Sequence, residues 1–322
     1  MSSQTERAKP PHQKEKMKTK IWLALLALYI VWGSTYLGIK IAIETIPPFL
    51  HAGLRFLVSG LILVLWQRAA GQKMPSRHQW SHLAIIGLLL LLGGNGLVAW
   101  AEQFIPSGVA ALVIASQPAF LVIIEALRPG GSNPTWRAVI GLLIGFAGIF
   151  ILLGPQSLTG SQHSFDGWGV AALLGACTFW GIGSTFSKGA DLPSSSLMAT
   201  GAEMLVGSIG LFLVSALLGE WRGWSPMQIS ARSLYGLLYL ITVGSIVGFG
   251  SYIWLLKRAP LPLVSTYAYV NPIIATLLGA WLGSEPLEPR IGLAAAIIIG
   301  AIIFINTQAK PVKIRKEVAL AE

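Results

Sequence analysis

The chain is expected to be an all-α membrane protein whose ten transmembrane helices form two inverted five-helix repeats. Three observations carry that expectation. Of its 322 residues, 54% are hydrophobic and only 11% are charged, less than half of the ~25% charge of a typical soluble domain. About ten apolar runs have the roughly 17–25 residues that cross hydrocarbon as a helix. Finally, uncommon residues of the first half recur in the second at a nearly constant offset.

The N-terminal tail, residues 1–20, is polar and basic, with Arg7, Lys9, Lys14, Lys16, Lys18 and Lys20, and is expected to be mobile. The apolar run 21–43 follows at once. It is too long for the core of a cleaved signal peptide, so it reads as a retained first span. The remaining runs of the first repeat, 21–153, lie near 49–66, 80–100, 109–127 and 138–153. A linker at 154–167, rich in Gly, Ser and Gln, leads into the second repeat, 168–306. Its runs lie near 168–186, 196–218, 234–256, 261–282 and 291–305, and a tail follows at 307–322.

Basic residues assign the orientation. With the N-terminus inside, eighteen Lys and Arg fall in the tails and loops of that side, against Arg222, Arg232 and Arg290 on the other. This positive-inside bias places both termini in the cytoplasm. It also accounts for the net charge of +10 without a nucleic-acid partner. The single cysteine, Cys177, allows neither an intrachain disulfide nor a cysteine metal site.

The repeat is read residue by residue. An offset of 148 carries Trp32-Gly33 onto Trp180-Gly181, Lys40 onto Lys188, Gly53 onto Gly201 and Arg55 onto Glu203. Further on, an offset of 154 carries Gly94 onto Gly248, Gly96 onto Gly250, Trp100 onto Trp254, Pro106 onto Pro260, and Gln117-Pro118 onto Asn271-Pro272. Five spans per half is an odd number, so the halves must enter the membrane in opposite senses. In inverted repeats of this kind the substrate site lies near mid-membrane, beside helices interrupted by Gly or Pro.

The stretch 261–282 is the most informative such helix. Ser265, Thr266, Tyr267, Tyr269 and Asn271 place polar groups in an apolar run, and Pro272 frees the carbonyl of Ala268 for a partner in protein or in a wet cavity. These side chains are either a binding surface or glue between packed helices. Tyr267 shares a face with Asn271, and Ser265 with Tyr269 on a nearly opposite one. The first pair is favoured because Gln117 is the counterpart of Asn271. Tyr252 is a weaker candidate.

Arg55 and Glu203 lie well inside their runs, where charges face the bundle interior, pair, or line a wet path. Near a pseudo-twofold axis the repeat would bring them together, as a structural ion pair or as contacts to an ionic substrate. Asn95 and Glu102, seven residues apart, share one face of the third span. Glu102 reads either as a solvated helix end or as a group for binding or proton coupling. Trp32, Tyr36 and Lys40 share a face of the first span, and Trp180, Ser184 and Lys188 repeat the spacing. The tryptophans suit a pocket for an amphipathic molecule or simple packing, and the lysines are expected to snorkel.

No zinc-protease, phosphate-loop or nucleophile-elbow motif occurs, and the five histidines fall in tails, loops or near span ends. An enzyme is not expected, and neither is a cofactor or resident metal. The chain instead resembles the drug/metabolite transporter superfamily, of the EamA type with two five-helix halves. The resemblance rests on Trp32-Gly33-Ser34-Thr35, on Ala101 to Gly108, and on Thr266 to Pro272 followed by Leu282-Gly283-Ser284-Glu285. Many members carry a Gly-Glu pair between the fourth and fifth spans, where this chain has Leu127-Arg128-Pro129-Gly130-Gly131. The resemblance implies a bacterial inner-membrane secondary transporter that exports amino acids or related small metabolites by alternating access, with or without a coupled proton. Its alternatives are an efflux carrier for hydrophobic cations and a non-transporting membrane scaffold. The expected substrate-binding set is Trp32, Arg55, Glu102, Gln117, Trp180, Glu203, Tyr267 and Asn271, with Arg55 and Glu203 reading the carboxylate and amine of a zwitterion.

Overall fold

The computed structural model describes residues 11–128, 136–153, 166–256, 258–259, 261–264 and 266–306, and among them there are helices and no strands. In chain order the helices are α1 (Pro11–Ala42), α2 (Pro48–Ala69), α3 (Arg77–Ala101), α4 (Ser107–Leu127) and α5 (Trp136–Leu153). They continue with α6 (Gly167–Ser187), α7 (Ser196–Leu217), α8 (Ala231–Leu255), α9 (Leu261–Val264 and Tyr267–Leu282) and α10 (Pro289–Asn306). Seven of them, α1–α4 and α6–α8, are long and apolar enough to cross a membrane, while α5, α9 and α10 contain shorter apolar helices. The tail expected to be mobile through Lys20 is helical from Pro11. Its Lys, Glu and Gln residues are good helix formers and extend the first span by several turns. Residues 129–135, which include the departure from the family's Gly-Glu pair, lie outside the described residues.

Four helices are irregular. α3 winds as a π-helix over Leu88–Gly96, and α8 does so over Leu240–Val247. α4 breaks after Ile114 and restarts at Gln117. That restart puts Pro118 in a first turn, where its missing N–H removes no helical bond. The echo in α9 behaves differently: the break comes earlier, before Tyr267, and Pro272 lies inside Tyr267–Leu282. Only the first of the two matching prolines therefore marks a break.

The packing repeats between the halves. α1 lies on α8 and α9, as α6 lies on α3 and α4; α3 meets α7 as α8 meets α2; and α2–α7, α4–α9 and α5–α10 pair directly. α2 and α7 run antiparallel at close range, because Gly60 faces the backbone of Gly201 while Gly53 faces the ring of Phe212.

One end of the bundle is tightly closed. The Glu285 carboxylate accepts from the backbone N–H of Ser107 (2.7 Å) and Gly108 (3.1 Å). Glu220 does the same for Phe49 (3.2 Å) and Leu50 (3.0 Å). Two carboxylates thus satisfy the unpaired donors and positive ends of α4 and α2. At the same end Lys40 donates to the carbonyls of Glu102 and Ile105, so it closes the C-terminus of α3 instead of snorkelling. Lys188, its counterpart, makes an ion pair with Glu125 at 3.6 Å and is 63% exposed. α4 records the same asymmetry along its length: every residue from Ser107 to Val113 is buried, whereas most from Gln117 to Ala126 are half-buried.

Candidate functional site

A cavity of about 150 Å³ opens where α1, α2, α3, α4, α6, α8 and α9 converge. Six of the eight expected site residues line it: Trp32, Arg55, Gln117, Trp180, Tyr267 and Asn271. Thr35, Tyr36, Asn95 and Phe249 also line it, while Glu102 and Glu203 do not. Thr35 and Phe249 were not anticipated. Phe249 was recoverable, since the 154-residue offset carries Asn95 onto it.

The wall is aromatic because two glycines make room for two indoles. A side chain at Gly248 would collide with the indole N–H of Trp32, and a β-carbon at Gly94 would come within 2.8 Å of the Trp180 ring. Each tryptophan therefore packs closely on a helix of the other half. Trp32 gathers Tyr267 (ring centres 5.0 Å apart), Tyr252 (5.1 Å) and Phe249 (5.5 Å) around it, spacings at which aromatic rings attract one another.

On α9 the expected pair of Tyr267 and Asn271 faces the cavity. Tyr269 packs instead against the main hydrophobic core, and Ser265 lies outside the described residues. Asn271 also joins helices: with its amide turned so that the nitrogen faces the two carbonyls beside it, it donates to Tyr267 (3.1 Å) and Tyr29 (3.3 Å). The Tyr29 and Thr266 hydroxyls share a further hydrogen bond. Glue and cavity wall are thus the same side chain. Ala268, whose carbonyl loses its helical donor to Pro272, lines the cavity as well.

Among the described residues, Arg55 supplies the only charge on the lining. Its Nε donates to Ser245 Oγ at 3.0 Å, and its guanidinium lies 5.0 Å from the Phe56 ring centre. Among the described residues it makes no ion pair, and no side-chain hydrogen bond beyond that to Ser245. The anticipated contact with Glu203 does not form, and the register of α2 on α7 explains why. Gly53 sits opposite Phe212, and Gly60 opposite Gly201 and Met204, so Arg55 lies level with about residue 209. At 1.5 Å of rise per residue, Glu203 is displaced by roughly 9 Å along the helix. Matching residues lie on opposite sides of the crossing point.

Glu102 is not the solvated helix end that its position suggested. It is fully buried, and neither carboxylate oxygen has a hydrogen-bond partner among the described residues. Lys40, the nearest cation, is engaged with backbone carbonyls.

The model of the EamA-like transporter family matches residues 19–154 and again 167–307. The uncharacterized inner membrane transporter YedA of Escherichia coli K12 is 38% identical over 287 residues, covering 88% of this chain and 89% of YedA. A probable amino-acid metabolite efflux pump of Salmonella typhimurium LT2 is 28% identical over 291 residues, 88% of this chain and 93% of the pump. One crystal structure superimposes with a TM-score of 0.59 at 20% identity, covering 89% of this chain and 96% of that one. It shows a shared fold.

Proposed function

The chain belongs to the EamA-like transporter family, and from that premise we propose that it exports amino acids or related carboxylate-bearing metabolites across the bacterial inner membrane. The observation that carries this reading is Arg55, buried, charged and without an anionic partner among the described residues, on a cavity otherwise walled by aromatic, amide and aliphatic side chains. An unpaired guanidinium away from water is costly. A substrate carboxylate is the group that would relieve it, through paired charge-assisted bonds. The name of the Salmonella relative, with its amino-acid metabolites, points the same way.

Glu203 lies off the lining, so the amine of a zwitterion would meet the aromatic faces of Trp32, Trp180 and Tyr267 and the amide oxygens nearby. The topology proposed is ten spans in two inverted repeats with both termini cytoplasmic. Two family matches and a helix-packing pattern unchanged on exchange of the halves support the repeat, and the bias of Lys and Arg toward one side supports the orientation. Alternating access would then exchange the closed and loosened ends of α4.

A thermal-shift series on the purified protein tests this reading, because a ligand of the folded form raises its melting temperature by mass action. Free amino acids are expected to stabilise, and their amides, which lack the carboxylate, are not. The rival reading, efflux of hydrophobic cations, draws on the ring cluster at Trp32. It would be favoured by stabilisation with aromatic cations alone.

A further inference from the structure

Glu102 is not part of the cavity wall, yet it is an ionisable group buried without a hydrogen-bond partner among the described residues. Its side chain is fully buried, and both carboxylate oxygens are without a donor among the described residues. It occupies the turn between α3 and α4, at the closed end of the bundle. Four charged or titratable groups are close enough to act on it: Tyr36 and Lys40 of α1, Arg55 of α2, and Glu285 of the turn after α9. Each cation is engaged elsewhere, Lys40 with the Glu102 and Ile105 carbonyls and Arg55 with Ser245. Glu285 adds a second negative charge, which caps α4.

An ionised carboxylate here would have lost its water without gaining a donor, whereas a neutral acid loses far less on burial. A metal ion is a poor alternative occupant, because the carbonyls that would complete its shell are already taken by an ammonium. We propose that Glu102 is a proton-binding site: the closed end holds it as a neutral acid, and its proton exchanges with solvent only when that end opens. Proton binding to the carboxylate and closure of the end would then be linked. Each opening would expose a group able to equilibrate with the pH on that side.

The site is examined without substrate, so the result is independent of the carboxylate reading of the cavity. Infrared spectra of the full chain in lipid at neutral pH are compared for wild type, Glu102→Gln and Lys40→Met. A protonated carboxylic-acid C=O band is expected in wild type, lost in Glu102→Gln and kept in Lys40→Met. If the wild type lacks the band and Lys40→Met acquires it, Glu102 is an ionised partner of Lys40 and the proposal falls. Should Glu102→Gln not fold, Glu102→Asp serves instead, with a displaced band expected and an unchanged one counting against the assignment. In D2O the band should shift slowly, and about tenfold faster in Glu285→Gln, where the cap on α4 is weakened. Exchange complete on mixing in both proteins would show that the end is not closed to solvent, and would overturn the proposal.

Discussion

Replacing Arg55 by methionine separates the carboxylate reading from its rival. The side chain is 5% exposed, so screening by water is slight, and the exposed-pair value of under ~1 kcal/mol does not apply. Truncating one partner of a buried, hydrogen-bonded charge pair costs about 2–5 kcal/mol, so affinity for a carboxylate ligand should fall roughly 30-fold or more. Stability should change little. The variant loses the hydrogen bond to Ser245 but also an uncompensated buried charge, and these oppose each other within about 1 kcal/mol. The assay is ligand titration by thermal shift, with counterflow in proteoliposomes for any ligand that binds. Arg55→Lys should fall between, since an ammonium keeps the charge but loses the paired donors. A loss of less than about fivefold in Arg55→Met, the scale of an exposed pair, would refute the argument.

Other outcomes follow from the packing. Lys40→Ala should lower stability by about 2 kcal/mol, because a charged donor is removed from two turn carbonyls. The matching Lys188→Ala should cost under ~1 kcal/mol, since the lysine is largely exposed beside a half-buried Glu125; parallel denaturant melts of the two variants check the contrast. Gly248→Ala would force the Trp32 indole off α8 and should cost about 1–3 kcal/mol, with a changed tryptophan emission reporting the displaced ring. Asn271→Ala removes two hydrogen bonds to backbone carbonyls and should cost about 1–2 kcal/mol in the same melts.

How much of this was legible in the sequence depends on which physical quantity each expectation needed. Helix existence needs only apolar length, and for that reason the runs were readable. The cavity wall needed the offsets as well: Trp32 with Trp180 and Gln117 with Asn271 recur in the two halves, and all four side chains meet in one space. The same offsets misled where distance along a helix mattered. Arg55 and Glu203 are matched in sequence, but exchange of the halves brings matched residues together only at the crossing of α2 and α7. The close contacts of Gly53 with Phe212 and of Gly60 with Gly201 put that crossing near residue 58 and its match near 206, about one turn from each charge. Matching and meeting are separate properties, and only the register of the two helices decides the second.

Lys40 and Glu102 fail for a different reason. Hydropathy along the chain reports how far a residue lies from a span end, and by that measure both belong at the water interface. It does not report whether the turn beside that end is covered by another part of the chain. Here Glu285, from 178 residues away, caps the start of α4 and helps close the turn over Glu102. A local pattern reads such a residue as solvated, although the fold removes its water. The uncovered counterpart is Lys188, which repeats the Lys40 position and remains exposed beside Glu125. One motif in two environments marks the two ends of the bundle as different, and this difference is what an alternating-access cycle would have to exchange. Lys188 would then move toward the carbonyls of Leu256 and Ala259, the positions matching Glu102 and Ile105, as Lys40 releases its own.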